Sequence, residues 1–320
     1  MKIALITPAR PVAHSGNRNT AVRWAELLRE LGHRVRIATE WDGKPVDAMI
    51  ALHARRSHAS IARFAAAFPR RPLILMLTGT DLYADIRVDA SAKLSLKLAT
   101  RLVVLQQEGL AELAPHLRAK ARVIYQSTRT MPKATPLQSC FEVCVSGHLR
   151  EVKDPFRLAA ALDHLPPQSR ICAVQIGGAM TGPMKQAAQR WMRREPRYKW
   201  IGEVPHGAAL RRLARARLMV ISSRMEGGAN IVTEALAAGV PVIASRVSGN
   251  VGMLGRDYAG YFPFGNERAL ARVLWRAESE PAFYARLKRQ CAARRALTRP
   301  AREKSALRAL LRELAAQARR

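Results

Sequence analysis

The sequence predicts an α/β fold, two doubly wound domains with parallel sheets in a chain of 320 residues. Three observations predict it. Short apolar runs alternate with longer stretches of helical period. The runs are apolar at nearly every position, as strands buried on both faces are. The alternation stops once, at a polar, proline-containing stretch over 128–139, and then restarts.

Residues 3–7 form the first strand and 20–31 the first helix, with Val22, Leu27, Leu28 and Leu31 on one face and Gly32 as its stop. Strands follow at 35–38, 48–52, 73–77, 102–105 and 122–125, with helices at 57–68, 90–100 and 107–114. Beyond the linker, strands fall at 141–145, 171–176, 198–201, 218–222 and 242–244. The helices there are 155–164, 184–194, 207–215, 229–238 and 267–279. The tail 302–319 is a basic amphipathic helix with Leu307, Leu310, Leu311 and Leu314 on one side, which favours packing on the protein over lying on a membrane. The predicted division is 1–135, 136–285 and 286–320, the last being basic helices that pack back on the two domains. A cleft between the domains is the expected ligand site.

Composition narrows the function. At 48% hydrophobic and 24% charged residues the chain is an ordinary globular one, so collagen-like, coiled-coil and disordered classes drop out. Cys140, Cys144, Cys172 and Cys291 form no C-x-x-C pair and read as buried thiols of a reducing compartment, without a disulfide or zinc framework. There is no apolar run of about 18 residues and no signal-peptide core after Lys2, so a cytoplasmic location without stable membrane association is expected. The unusual quantity is charge: 54 basic residues, 43 of them Arg, against 24 acidic ones give +30. That field favours polyanions, anionic membranes and small phosphorylated substrates, and it fits an Arg-rich codon usage equally well. Nucleic acid is not an expected partner, because aromatics are only 6% of the chain and no stacking platform, helix-turn-helix or zinc motif is found.

No G-x-G-x-x-G follows the first strand, and G-x-x-x-x-G-K-[ST], H-E-x-x-H, G-x-S-x-G and Asp-x-Asp are absent. The informative segment is 223–245, with Glu226-Gly227-Gly228-Ala229-Asn230 and, eight residues after Glu226, Glu234. A Gly-Gly pair lets backbone amides approach an anion at the start of the following helix. Glu234, two turns into that helix, is placed to accept hydrogen bonds from a ribose diol. The same spacing also describes a capped α/β unit with two surface carboxylates.

The whole segment, through Ala237-Ala238-Gly239-Val240-Pro241-Val242, resembles the Glu-x7-Glu region of retaining glycosyltransferases of the GT-B fold, the GT4-like group. That resemblance implies two Rossmann-like domains facing a cleft. It also implies Glu226 on the donor sugar, Glu234 on the ribose, and the backbone of Gly227, Gly228, Ala229 and Asn230 near the diphosphate. Gly147-His148-Leu149-Arg150-Glu151-Val152-Lys153-Asp154 is similar to the Gly-Arg-Leu-x-x-x-Lys-Gly of the same group. Lys153 matches the Lys, while His148 stands at the Arg position and Asp154 at the Gly position. Arg150 then supplies the second cation for the departing diphosphate.

Together with Thr78-Gly79-Thr80-Asp81-Leu82-Tyr83 and Ser15-Gly16-Asn17-Arg18-Asn19-Thr20, these departures resemble one subgroup, the selenosugar synthases of selenoneine biosynthesis. The resemblance implies a carbon–selenium bond made between selenophosphate and the anomeric carbon of UDP-GlcNAc or UDP-glucose, with release of UDP and phosphate. No metal and no further cofactor is implied. The alternative is sugar transfer to a hydroxyl of a glycan or lipid acceptor at a membrane surface. In either case the first half supplies the acceptor pocket. Thr7, Arg10, His14, Ser15, Gly16, Asn17 and Arg18 lie between the first strand and the first helix, where helix-start amides and two arginines suit an anion. Thr80 and Asp81 follow a buried strand, and Asp81 reads as a base or as a helix cap. His53, after another strand, reads as an acid/base near the anomeric carbon or as a packed polar residue.

Overall fold

The structure is a computed structural model in which residues 1–9, 16–129, 131 and 134–317 are described. The chain forms two compact units. The first comprises Met1–Ser127, Glu226–Ala229 and Pro300–Arg320, and the second Thr128–Met225 and Asn230–Arg299. The first unit therefore closes at 127, ahead of the expected boundary at 135. The stretch 286–320 divides too: the Pro281–Arg294 helix lies in the second unit and the Pro300–Gln317 helix in the first.

Six parallel strands make the sheet of the first unit: β1 (Lys2–Ile6), β2 (Arg34–Ala38), β3 (Ala48–Leu52), β4 (Leu73–Met76), β5 (Arg101–Val104) and β6 (Ala121–Val123). Their order is β2-β1-β3-β4-β5-β6, with Leu5 opposite Ile37 on one side and Ile50 on the other. Side chains alternate across a strand, so each strand feeds two cores. On one face Ile3, Leu5, Ile50 and Met76 pack with Trp24 and Leu28 of the Gly16–Glu30 helix and with Leu307, Leu310, Leu311 and Leu314 of the Pro300–Gln317 helix. On the other, Ala4, Ile6, Met49 and Leu75 pack with Ile61 and Phe64 of the His58–Ala67 helix and Leu96 of the Ala90–Leu98 helix. The leucines at 307, 310, 311 and 314 recur at helical spacing, and that is why the tail folds onto this sheet.

The second unit repeats the plan with β7 (Phe141–Ser146), β8 (Ile171–Ile176), β9 (Tyr198–Trp200), β10 (Leu218–Ile221), β11 (Val242–Ser245) and β12 (Tyr261–Phe262). The order is β12-β11-β10-β7-β8-β9, again parallel throughout. In doubly wound sheets the winding direction changes at one point, and ligands bind beyond the carboxyl ends of the strands there. The change falls between β1 and β3 in the first unit and between β7 and β10 in the second.

Three expectations are corrected. Cys140 and Cys172 form a disulfide, with Cα atoms 6.2 Å apart, while Cys144 and Cys291 are free and buried. Neighbouring strands explain the pairing: Phe141 lies opposite Ile171 and Glu142 opposite Cys172, so residues distant in sequence meet in the sheet without any local C-x-x-C spacing. The helix expected over 107–114 is a single 3-10 turn, Gln107–Leu110, whose start is capped by the Gln106 side chain accepting from the Gly109 N–H at 3.2 Å. Pro115 holds Ala114 in an extended conformation and ends any continuation. The first helix starts at Gly16, four residues ahead of the expected start, and the Thr20 hydroxyl donates back to the Gly16 carbonyl at 2.9 Å.

Candidate active site

In the first unit the loop residues that follow β3 and β4 interlock. The Asp81 carboxylate is fully buried and accepts three backbone N–H bonds, from Thr78 (2.9 Å), Gly79 (2.8 Å) and Ala54 (3.0 Å). It thereby fixes both loops from beneath, at the start of the π-helical turn Asp81–Asp85. Beside it His53 takes φ +74°, a left-handed conformation that costs a β-carbon residue energy and collects at functional sites. Its Nδ1 accepts from the Arg56 N–H at 3.4 Å, and its Nε2 lies 3.2 Å from the Thr80 hydroxyl. Burial lowers the His53 pKa below its ordinary value, with Arg55 and Arg56 acting in the same direction and Asp81 and Asp85 opposing it. The imidazole is therefore neutral near pH 7, and with Nδ1 accepting, the proton sits on Nε2 facing Thr80 and Asp85.

The turn Glu226–Ala229 belongs to the same unit. A β-carbon on Gly227 would lie 2.4 Å from the Thr78 carbonyl oxygen, and one on Gly228 2.5 Å from the Leu105 β-carbon. Only glycine fits at either position, which gives the Gly-Gly pair a steric reason beside its capacity to present amides. Glu226 is 6% exposed, and Gln126 donates from Nε2 to the Gly228 carbonyl. Of the residues expected on the acceptor side, Thr7 is buried at the end of β1, and Gly16, Asn17 and Arg18 open the first helix. Arg10, His14 and Ser15 lie outside the described residues.

In the second unit the loops after β7, β10 and β11 are stitched together by hydroxyls. Ser222 Oγ donates to the carbonyls of Lys153 (3.1 Å) and Asp154 (2.8 Å), and the Arg224 N–H donates to Val152 at 2.9 Å. Ser245 Oγ donates to the Ser223 carbonyl at 2.6 Å, and Asn250 Nδ2 donates to Ser245. Gly147 turns the chain away from β7 with φ +155°, His148, Leu149 and Arg150 follow, and Glu151–Lys153 is one 3-10 turn. Asp154 takes φ +45° and ψ +56°, a left-handed residue at the position where the resemblance has glycine. Its carboxylate holds Arg157 at 2.8 Å, and Arg157 also reaches Glu267. This departure therefore preserves the backbone shape that glycine would give.

Asn230 opens the helix Asn230–Ala238, and Glu234 lies one turn on, 9% exposed. Its Oε1 is 2.9 Å from His206 Nε2. That hydrogen bond raises the His206 pKa above its ordinary value. The contact of His206 with Glu234 is not legible in the sequence, because nothing there connects the histidine to a carboxylate 28 positions away. Gln126 is equally silent, being a lone glutamine at a strand end. Among the described residues no group of three or more His, Cys, Asp and Glu side chains is gathered around a point that could hold a metal ion.

The family model of glycosyl transferases group 1 matches residues 129–294, more than half of the chain. The chain belongs to that family. A curated relative, "Glycosyltransferase 1 domain-containing protein 1" of Xenopus tropicalis, is 25% identical to this transferase, and the match covers 90% of each chain. The fold is that of Anabaena HepE, solved with UDP and glucose (TM-score 0.77, 16% identity, 98% of this chain and 100% of that one). It is shared with the sucrose-phosphate synthase of Thermosynechococcus elongatus (TM-score 0.77, 17% identity, 98% and 99%). Two six-stranded parallel sheets are thus the GT-B architecture expected of the group 1 transferases.

Proposed function

We propose that this group 1 transferase uses a UDP-sugar, UDP-GlcNAc or UDP-glucose, and transfers the sugar to selenophosphate. The observation that carries the donor half is the pair of buried carboxylates, Glu226 and Glu234, on either side of a Gly-Gly step in which only glycines fit. HepE, of the same fold, was solved with UDP and glucose, which supports the same donor class here. In this reading Glu234 accepts hydrogen bonds from the ribose, exchanging His206 for the diol. Lys153 and Arg150 neutralise the diphosphate, and Glu226 with the Gly227–Asn230 backbone holds the sugar. A cation beside a departing diphosphate acts where negative charge grows in the transition state, so its effect falls on kcat.

The acceptor half rests on the motifs 15–20, 78–83 and 147–155 and on the buried, strained His53. Selenium attacks the anomeric carbon, the C1–O bond to UDP breaks, and its electron pair leaves on the β-phosphate oxygen. Water then cleaves the P–Se bond, so that oxygen goes to phosphate and a selenol remains on the sugar. Selenophosphate is already anionic and soft, so the neutral His53 serves to orient rather than to deprotonate it.

The test is to follow products by mass spectrometry with UDP-GlcNAc or UDP-glucose, with and without selenophosphate. A selenium-bearing sugar and UDP, formed only when both substrates are present, is the expected result. UDP-sugar binding with no selenium product moves the acceptor to a hydroxyl. Lys153→Ala should lower kcat by about a hundredfold, and Glu234→Ala should weaken UDP binding by roughly tenfold, the equivalent of one lost charge-assisted hydrogen bond.

A further inference from the structure

We infer that Gln126 is a positioning residue for the Glu226–Ala229 turn, and that the C-terminal helix acts on that turn through it. The inference rests on the proposed donor site, in which the turn faces the donor sugar, and it concerns contacts inside the first unit alone.

Gln126 lies two residues beyond Ile124, past the end of β6, and is 2% exposed. Its Oε1 accepts from two donors, the Thr20 hydroxyl at 2.7 Å and Arg23 Nη2 at 2.5 Å. An amide turned the other way would set its NH2 against a guanidinium, which has donors and no acceptor. The orientation is therefore determined, and Nε2 is left to donate to the Gly228 carbonyl. Because the peptide is planar, fixing that carbonyl also fixes the direction of the Ala229 N–H. The contact is tight: a β-carbon on Gly228 would stand 3.4 Å from this same Nε2.

Arg23 is held from behind. Its Nε donates to both oxygens of Glu303, at 3.0 and 3.3 Å, and Glu303 is 1% exposed within the Pro300–Gln317 helix. The Glu303 carboxylate also accepts from Trp24 Nε1 at 2.8 Å, from the Ser127 N–H at 2.8 Å and from the Ser127 hydroxyl. Glu303, Arg23, Gln126 and Gly228 thus form one relay of hydrogen bonds from the last helix to the turn that carries Glu226. Buried networks of this kind fix one geometry when every member is satisfied. Burial of a glutamine for stability alone would not require its amide to end on that particular carbonyl.

The decisive variant is Gln126→Glu. It keeps an acceptor for Thr20 and Arg23, keeps the side-chain length, and replaces the donor to Gly228 by a carboxylate oxygen that cannot donate to that carbonyl. Hydrogen exchange of the segment spanning Glu226–Ala229 should quicken in this variant while the segment spanning the His58–Ala67 helix is unchanged. With UDP-sugar, kcat should fall by about tenfold to a hundredfold, as for a small misplacement of a reacting group, while the Kd of UDP stays within about twofold, since no contact to UDP is assigned to Gln126. Glu303→Gln should move both readouts in the same direction by less, and Glu303→Asp should restore part of the loss. Unchanged exchange at the turn, or kcat equal to the parent's, overturns the inference. Failure of the parent protein to bind UDP overturns the donor reading instead, and the exchange measurement still decides the role of Gln126.

Discussion

Two histidines sit in opposite electrostatic settings, and their titrations should differ accordingly. His206 hydrogen-bonds Glu234, which raises its pKa above 6.5. The contribution of the raised His206 value to stability is then present below pH 6.5 and fades as the pH rises through the folded value. His53 is shifted downward by burial, so its contribution fades as the pH falls below 6.5. Because the two signs oppose, overall stability is a poor probe and NMR titration of each ring is the right one. His206 should titrate above the ordinary value, and Glu234→Gln should return it towards that value. Asp154 offers a second test at this scale. A β-branched residue in its left-handed conformation costs about 1–2 kcal/mol, so Asp154→Val should lower the urea midpoint clearly. Asp154→Gly keeps the conformation and loses only the contact to Arg157, so its midpoint should stay close to the parent's.

Elements set the next scale, and here the loops at the carboxyl ends of the strands matter most. The strands differ little from the expected runs: 48–52 and 171–176 coincide with their observed limits. What the sequence could not show is that the turn after β10 has no spare volume. Gly227→Ala would press a methyl group 2.4 Å from the Thr78 carbonyl oxygen, a contact that backbone atoms must move to relieve. The expected cost is about 1–3 kcal/mol, as in other overpacked sites, and in the proposed donor site a larger loss of turnover follows because Glu226 moves with the turn. Gly182→Ala is the matched control, since nothing lies within 4 Å of a β-carbon there. Equal urea midpoints and equal activity for the two variants would refute the steric argument. Legibility at this scale is uneven for a physical reason. Apolar period reports burial of an element, whereas the short turn at 107–110 is decided by a side-chain cap and by Pro115.

At the scale of the whole molecule the C-terminal helix is part of a core. Leu307, Leu310, Leu311 and Leu314 are each 5% exposed or less. Leu311→Ala should cost about 2–5 kcal/mol, read from denaturant unfolding. Removing residues 300–320 would expose the sheet face these leucines cover and leave Arg23 without Glu303, a loss comparable to the whole stability of a domain, about 5–15 kcal/mol. Loss of soluble, folded protein is the expected outcome. No helix among the described residues is long and apolar enough to cross a membrane. The net charge of +30 acts at long range and is screened by salt, so capture of a nucleotide sugar should slow as ionic strength rises.

The sequence by itself determined the strand-helix alternation of two parallel α/β sheets and, through the resemblance of 223–245 to the GT4-like group, the glycosyltransferase family. The alternation follows from local rules: apolar period reports burial, and glycine and proline mark where a backbone must turn. Only the tertiary structure decided that Cys140 pairs with Cys172, that Asp81 is consumed by three backbone amides, and that His206 meets Glu234. It likewise brought Gln126 and Glu303, at 126 and 303 in the chain, into one network behind Gly228. Each of these depends on which strands become neighbours and which helix returns to which sheet, and no local pattern of residues carries that information.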